Sequence, residues 1–214
     1  MQQIDSIIFD FGGVILNINH QLTESAFEKL GIVNFETLYS QALQTDLFNK
    51  LETGRISPQE FRNTIRTIAG LPLTDIQIDK AWNAMLLDLP KNRIRLLEAL
   101  KNRYRIFLLS NTNEIHYNSY AEQLRKRYHY RDFSRLFEKA YFSFQISMRK
   151  PDTETFNFVL ESNNLKPETC LFIDDSAQHI NGAMKTGIHT LLHNADHEIT
   201  SLFDPDTFEI SYGH

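Results

Sequence analysis

The feature of this sequence that most constrains its fold is the regular alternation of short apolar runs with segments of helical periodicity. Five apolar, strand-like runs can be identified, at residues 4–10, 105–110, 140–143, 170–174 and 189–193. From residue 105 onward, a segment with a helical period separates each run from the next. Repeated β–α units of this kind predict a parallel sheet with helices on both faces. The predicted fold class is therefore α/β, with a Rossmann-like, three-layer core.

The segment between the first two predicted strands has a different pattern. From about residue 20 to residue 88 the apolar residues follow a helical period, and strand signals are few. Ser57-Pro58-Gln59-Glu60 is a capping box with proline at the first helical position, and it predicts a helix that ends near Gly70. The sequence therefore predicts an all-helical cap domain, residues 17–89, inserted into a core domain formed by residues 1–16 and 90–214.

Polar residues stand where the predicted strands end. They are Asp10 after the first strand, Ser110 and Asn111 at the second, Lys150 in the loop after the third, and Asp174 with Asp175 at the fourth. The carboxyl ends of parallel strands meet at one edge of a sheet, where ligands bind. Carboxylates there form a hard-oxygen site that suits Mg²⁺, and a lysine, a hydroxyl and backbone N–H groups supply what a phosphoryl group needs. An aspartate in such a site can accept the phosphoryl group.

These residues also carry a resemblance to a known family. The matching segments are Ile7-Ile-Phe-Asp-Phe-Gly-Gly-Val-Ile15, Leu108-Leu-Ser-Asn111, Met148-Arg-Lys-Pro151 and Phe172-Ile-Asp-Asp175. In this order they resemble the four motifs of the haloacid dehalogenase-like (HAD) superfamily, subfamily I, whose helical cap follows the first strand. The resemblance covers essentially the whole chain and implies a Mg²⁺-dependent phosphatase. A glycine-containing first motif of this kind resembles that of sugar-phosphate phosphatases, notably those that act on hexose 1-phosphates.

The resemblance implies a role for each motif residue. Asp10 is the implied nucleophile, which forms an aspartyl phosphate, and Lys150 the residue that neutralises the nucleophile and the transferred group. Ser110 and the Asn111 backbone amide are the implied phosphate-binding groups. For the metal, the implied ligands are Asp10, the Gly12 backbone carbonyl and Asp175, with Asp174 as a ligand or its supporting neighbour.

Gly12 is a departure from the family pattern. Phosphatases of the family normally carry a second aspartate at this position, which protonates the leaving group and later activates water, a contribution of roughly 10²–10⁴-fold. Candidate replacements are His20, His116 and His179, although each can equally be a surface or supporting residue. The polar segment 51–57 of the insert could project one side chain toward the site, or form a simple turn between helices.

Two other functions are compatible with parts of this pattern. One is a metal-free 2-haloacid dehalogenase of the same superfamily, which Asp174-Asp175 argues against, because the fourth motif of dehalogenases resembles a Ser-Asn-rich sequence. The other is a weakly active or inactive protein that binds a phosphate or a partner and has lost turnover through Gly12. Activity towards p-nitrophenyl phosphate with Mg²⁺ distinguishes the phosphatase from such a binding protein, and loss of activity in Asp10→Asn is the complementary test.

The composition limits the kinds of ligand and the cellular location that we expect for this protein. The net charge of -5 disfavours nucleic acid as a ligand, and the basic segment 124–131 is interpreted as a solvated helix end. No apolar stretch reaches the ~18 residues of a membrane helix. The one cysteine, Cys170, lies in an apolar run and is expected to be buried. We expect a cytoplasmic enzyme acting on a small phosphate, while the substrate and the oligomeric state stay open.

Overall fold

The centre of the molecule is a parallel sheet. The computed structural model describes residues 3–32, 46–194 and 196–211. Within them, the strands are β1 (Ser6–Phe9), β2 (Arg105–Ser110), β3 (Lys139–Phe142), β4 (Cys170–Asp174) and β5 (His189–Leu192). They form a 5-stranded sheet in the order β3-β2-β1-β4-β5, and every neighbouring pair is parallel. The predicted α/β class is therefore confirmed.

The helices of the described residues lie in the insert, on the two faces of the sheet and in one short connecting turn. They are α1 (His20–Lys29), α2 (Leu47–Glu52), α3 (Pro58–Ala69), α4 (Asp75–Trp82), α5 (Lys91–Leu100), α6 (Glu114–Tyr128), α7 (Ser143–Ile146), α8 (Thr153–Ser162) and α9 (Ala177–Met184). Alternate residues of β1 pack on opposite faces, because side chains alternate along a strand. Ile7 and Phe9 belong to the cluster with α5 and α6, whereas Ile8 belongs to the cluster with α8 and α9.

The insert between β1 and β2 has a hydrophobic cluster, to which Ile115 of α6 also belongs. The cluster joins α1 to α4 through Phe27, Leu51, Phe61 and Ile78, all of which are buried. The helix predicted from the capping box is confirmed: the Glu60 N–H donates to Ser57 Oγ at 3.2 Å, the Ser57 N–H donates to Glu60 Oε2 at 2.7 Å, and Gly70 ends the helix with a left-handed φ of 65°.

The division of the chain into a cap domain and a core domain stays a prediction. Residues 33–45 of the predicted cap and residues 212–214 of the predicted core lie outside the described residues. In the part of the insert that is described, the regular elements are helices, together with a single bridge that joins Ile18 to Leu86.

The two chain segments that connect the insert to the sheet run side by side. The Asn17 N–H donates to the Asp88 carbonyl at 3.0 Å, and the Leu87 N–H donates to the Asn17 carbonyl at 2.9 Å. A side-chain bond from Asn17 Nδ2 to Asp88 Oδ1, at 3.0 Å, joins the same pair. The insert therefore begins and ends at one point, next to the carboxyl edge of the sheet.

Two expectations about composition can be compared with the structure. Cys170 is buried in β4, and its burial raises the pKa of the thiol to about 12, which suits a structural residue and not a nucleophile. Among the described residues, no helix combines the length and the apolar character that crossing a bilayer demands.

Candidate active site

A buried lysine joins two carboxylates at the carboxyl edge of the sheet. Lys150 has no exposed surface, and its Nζ donates to Asp10 Oδ1 at 2.6 Å and to Asp174 Oδ2 at 2.7 Å. Burial by itself lowers the pKa of Lys150, but the two carboxylates outweigh burial and hold its pKa above the usual value. A buried ammonium is stable when it is paired in this way. Lys150 is therefore a fixed positive charge between β1 and β4.

Asp10 follows β1 directly and is held by its backbone as well as by the lysine. Its N–H donates to the Ile173 carbonyl of β4 at 2.8 Å, and its carboxyl is part of the cavity wall. Burial raises the pKa of Asp10 to about 6, against the opposing effect of Lys150. Near pH 7 the Asp10 carboxyl is thus mainly ionised, which is the form that the predicted nucleophile requires.

Asp174 is saturated by donors from the protein. Besides Lys150, its oxygens accept from the Ser176 N–H at 2.8 Å and lie 3.0 Å from His179 Nδ1. Burial raises the pKa of Asp174, but Lys150 and His179 more than offset that effect, so its pKa lies below the usual value. Because its oxygens already have partners, Asp174 is better placed to orient its neighbours than to bind a ligand directly.

Asp175 is more exposed than Asp174 and packs against a glycine. A Cβ atom added to Gly13, whose φ is +78°, would lie 2.0 Å from Asp175 Oδ2. Only a glycine allows this approach, since any side chain at residue 13 would displace the carboxylate. Burial, reinforced by the charge of Asp174, raises the pKa of Asp175.

The three carboxylates lie close enough together to bind a divalent cation or to support its binding. Asp10, Asp174 and Asp175 each offer an oxygen, and these oxygens lie within 4.8 Å of one another. Mg²⁺ prefers oxygen ligands, and a few protein carboxylates with water suffice to bind it. Among the described residues, this is the one cluster of three or more such side chains.

Ser110 and Asn111 lie at the end of β2, where the sequence places them. Ser110 is buried, and both residues line the cavity. The Asn111 side chain is occupied by the backbone of Lys150: its Nδ2 donates to the Lys150 carbonyl, and the Lys150 N–H donates to its Oδ1, both at 2.9 Å. The side chain of Asn111 therefore positions the lysine, a contact that the sequence does not reveal.

A cavity of about 890 Å³ lies above this edge of the sheet. Its floor contains Asp10, Gly12, Ser110 and Asp175, and much of its wall comes from the insert. The insert residues that line it are Ile18, His20, Gln21, Thr23, Glu24, Phe48, Glu52, Trp82, Met85 and Leu86. The volume is of the size that holds a small organic ligand.

The three histidines considered as replacement acids all line this cavity. His116 is buried, and its Nδ1 lies 2.8 Å from Asn83 Oδ1. Burial lowers the pKa of His116 to about 3, so its ring is neutral near pH 7. His179 Nδ1 faces Asp174, while His20 is exposed at the first turn of α1.

One side chain of the segment 51–57 also reaches the cavity. Glu52 lines it, and Trp82 and Phe48 form the neighbouring aromatic wall, with ring centroids 5.4 Å apart. Sequence reasoning identified the segment but not the residue, and it did not identify Trp82 or Phe48. Hydrophobic periodicity predicts a helix, but it does not predict which face of an inserted helix lines the site.

The fold and the site together define a class, that of Rossmann-like α/β enzymes with an acidic site at the carboxyl edge of the sheet. Comparison with known families gives the particular family. Residues 4–185 match the profile described as haloacid dehalogenase-like hydrolase. This match spans most of the chain, so the protein belongs to the HAD-like hydrolase family and is an enzyme. The resemblance noted in the motifs is confirmed.

Individual relatives agree with this assignment. The chain is 31% identical over 187 residues to a D-ribitol-5-phosphate phosphatase of Bacteroides thetaiotaomicron, covering 87% of this chain and 90% of the relative. It is similar to a HAD family enzyme of the same organism whose crystal structure holds magnesium and inorganic phosphate: 36% identity, TM-score 0.84, and coverage of 94% of this chain and 100% of the other. A HAD-like hydrolase structure from Porphyromonas gingivalis is 28% identical, with TM-score 0.78, covering 93% and 95%.

Proposed function

We propose that this chain is a Mg²⁺-dependent phosphomonoester hydrolase that acts on a small soluble phosphate through an aspartyl-phosphate intermediate at Asp10. The observation that carries the proposal is the buried Lys150 ammonium, which lies 2.6 Å from Asp10 and 2.7 Å from Asp174, because Asp10 itself lines the cavity. Phosphoryl transfer needs positioning and charge neutralisation above all, and a fixed cation beside an ionised carboxylate supplies both.

The chain's own residues have the following parts in the reaction. The Asp10 carboxylate attacks phosphorus, the bond from phosphorus to the leaving oxygen breaks, and water then hydrolyses the aspartyl phosphate. Lys150 neutralises Asp10 and the transferred group, while Ser110 and the Asn111 backbone amide donate to phosphoryl oxygens. Asp10, the Gly12 carbonyl and Asp175 would hold Mg²⁺, with Asp174 supporting them. When bound, the ion supplies neutralisation of the phosphoryl oxygens.

The substrate class that we propose is a sugar or polyol phosphate. Support comes from the relative that is named as a D-ribitol-5-phosphate phosphatase and covers most of both chains. The cavity supports it too, since its volume of about 890 Å³ suits a small molecule and its insert wall mixes polar with aromatic side chains. We also propose that residues 17–89 form the cap domain, and residues 1–16 with 90–214 the core.

The test is a phosphatase screen with matched controls. The wild-type chain is assayed on p-nitrophenyl phosphate, sugar phosphates, polyol phosphates and acyl phosphates, with Mg²⁺ and with a chelator. We expect turnover that requires Mg²⁺, and a loss of at least roughly 10³-fold in Asp10→Asn, since the nucleophile is removed. Turnover that is unaffected by the chelator, or a folded D10N variant with wild-type kcat, would overturn the proposal.

A second candidate is a phosphate-binding protein with little turnover, and Gly12 is the observation in its favour. Its signature in the same screen is the binding of phosphate compounds, measured by calorimetry, without hydrolysis of any of them.

A further inference from the structure

Steric crowding does not explain why residue 12 is a glycine. A Cβ atom added to Gly12 would have Ile18 Cδ1 at 3.5 Å and Ile18 Cγ2 at 3.7 Å as its nearest neighbours, which is ordinary contact. Nor does Gly12 have the left-handed backbone of its neighbour Gly13. If the chain is a phosphatase, general-acid help for the leaving oxygen would need another group that faces the same cavity.

Glu52 is a carboxyl group that the insert brings to this cavity. It is the last residue of α2, and its Oε2 lies 2.9 Å from Arg149 Nη2. The contact lies outside hydrogen-bond geometry: Oε2 is buried and has no hydrogen-bond partner among the described residues. Arg149 directly precedes Lys150, so Glu52 is joined to the loop that supplies the lysine.

The turn after Glu52 is fixed against the core. A Cβ atom added to Gly54, whose φ is +67°, would lie 2.4 Å from the Phe144 carbonyl oxygen. The backbone of Gly54 therefore packs directly against the backbone of Phe144. Arg149 Nη1 also approaches Asn49 Oδ1, at 3.4 Å. Glu52 is therefore held in the wall and does not sample the solvent as a free surface side chain would.

The protonation behaviour of the cavity groups is consistent with a role for Glu52. Burial raises the pKa of Glu52, even though Arg149, His179 and Lys150 oppose it. A carboxyl with a raised pKa can hold a proton for a leaving group. The ring of His116, in contrast, is neutral near pH 7 and therefore is not a cationic acid that could protonate a leaving group. The Nδ1 atom of His179 faces Asp174.

We propose that Glu52, delivered by the insert, is the acid–base residue that takes the place of the missing side chain at residue 12. This inference rests on the proposed phosphatase function. In the first step the Glu52 carboxylic acid gives its proton to the bridging oxygen as the bond from that oxygen to phosphorus breaks and the bond from Asp10 to phosphorus forms. In the second step the Glu52 carboxylate takes a proton from the water that attacks phosphorus, and the Asp10 carboxylate is released.

The test compares leaving groups in Glu52→Gln, which keeps the size of the side chain. A general acid matters most for an alkoxide leaving group and least for a nitrophenolate, which departs readily. We expect kcat for an alkyl phosphate, such as a polyol phosphate, to fall at least ~100-fold, and kcat for p-nitrophenyl phosphate to fall less than ~10-fold. The matched control is Glu24→Gln, another cavity carboxyl of the insert, which should lower both rates by the same small factor.

A second variant tests for replacement. Gly12→Asp, built into the E52Q protein, puts a carboxyl at a residue where a Cβ atom meets no clash, and it should restore most of the lost alkyl-phosphate turnover. Equal losses on both substrates in E52Q, a rise in KM alone, or a leaving-group effect in E24Q instead would overturn the inference. If E52Q does not fold, the dependence of the wild-type kcat on the pKa of the leaving group tests the inference instead. A steep decline of this kcat with rising leaving-group pKa would mean that the wild-type protein has no proton donor.

The outcomes separate the two proposals. A wild-type chain without Mg²⁺-dependent phosphatase activity refutes the proposed function itself. An active wild-type chain with a uniform E52Q effect refutes only the role of Glu52.

Discussion

At the scale of single residues, the site is organised around Lys150. A buried ammonium persists only while its charge partners stay in place, because an unpaired buried charge costs several kcal/mol. The lysine is fixed at both ends: Asp10 and Asp174 hold its Nζ, and Asn111 holds its backbone through two bonds of 2.9 Å. Asn111 thus belongs to the site although its side chain does not point at a ligand.

The positioning role of Asn111 gives a first prediction. Asn111→Ala removes both bonds to the Lys150 backbone, and we expect kcat to fall about 10–100-fold because the lysine shifts from its place. The matched control is Asn163→Ala, which removes two bonds of 2.7 Å, from Asn163 Nδ2 to Tyr141 Oη and to the Val159 carbonyl, among residues that do not line the cavity. Both variants should unfold about 1–3 kcal/mol more easily in urea. Equal kcat values in the two variants would contradict the assignment.

The pKa of Asp10 gives a second prediction, about metal affinity. Burial raises that pKa to about 6 in the protein without metal, and only the ionised carboxylate binds a cation. Protons therefore compete with Mg²⁺ below pH 6, and the competition vanishes above pH 7. We expect the Kd for Mg²⁺, measured by calorimetry, to be about tenfold weaker at pH 5 than at pH 7.

The control for the metal measurement is Asp10→Asn, which has no carboxyl to protonate at this position. It should bind Mg²⁺ more weakly at pH 7 and lose most of the pH dependence between pH 5 and pH 7. A wild-type Kd that stays constant across this range would show that Asp10 is not a metal ligand.

At the scale of elements, the loop that carries Lys150 depends on a helix that approaches it closely. A Cβ atom added to Gly182 of α9 would lie 2.2 Å from the Pro151 carbonyl oxygen. Gly182→Ala must therefore push α9 away from the loop, and we expect a loss of about 1–3 kcal/mol in the free energy of unfolding, together with a lower kcat.

Gly70→Ala is the control variant for the loss of stability and of kcat expected in Gly182→Ala. Gly70 has a left-handed φ of +65°, which Gly182 does not, but nothing lies within 4 Å of a Cβ atom added to Gly70. It should lose about 1–2 kcal/mol of stability from backbone strain alone and keep the wild-type kcat. If G182A also keeps the wild-type kcat, α9 does not position Lys150.

The elements of the core could be predicted from the sequence because each is short and apolar, and is bounded by polar or glycine residues. The five strands lie within one or two residues of the predicted runs, and the capping box at Ser57 begins its helix as expected. What could not be predicted is the orientation of the insert. Glu52 and Trp82 reach the cavity because of how α2 and α4 pack against the core, and neither residue stands in a motif.

The contacts of the motif side chains were equally beyond the sequence. Parallel strand ends meet at one edge, so the convergence of Asp10, Lys150 and Asp175 followed from the β–α alternation alone. The pairing of Asn111 with the backbone of Lys150 depends on the path of a loop. The saturation of Asp174 depends on where α9 begins and on which way His179 turns.

At the scale of the whole molecule, an edge of one sheet and an inserted group of helices form one cavity. The chain enters and leaves the insert at a single point, where Asn17 and Asp88 are hydrogen-bonded. Such an arrangement lets the core supply the same reacting groups while the insert supplies the contacts to the rest of the substrate. In our account the insert contributes more than contacts, since Glu52 completes a site that the core leaves incomplete at Gly12.

The most direct test of the account is to trap the phosphoryl group on the enzyme. The wild-type chain is mixed with Mg²⁺ and a phosphate ester that it hydrolyses, quenched in acid during turnover, reduced with borohydride and mapped by mass spectrometry. An aspartyl phosphate is reduced to homoserine, so we predict homoserine at residue 10 in the wild-type protein. None should form without substrate or in D10N. Steady hydrolysis with an unmodified Asp10 at every quench time, together with a D10N variant that still turns over, would contradict the account.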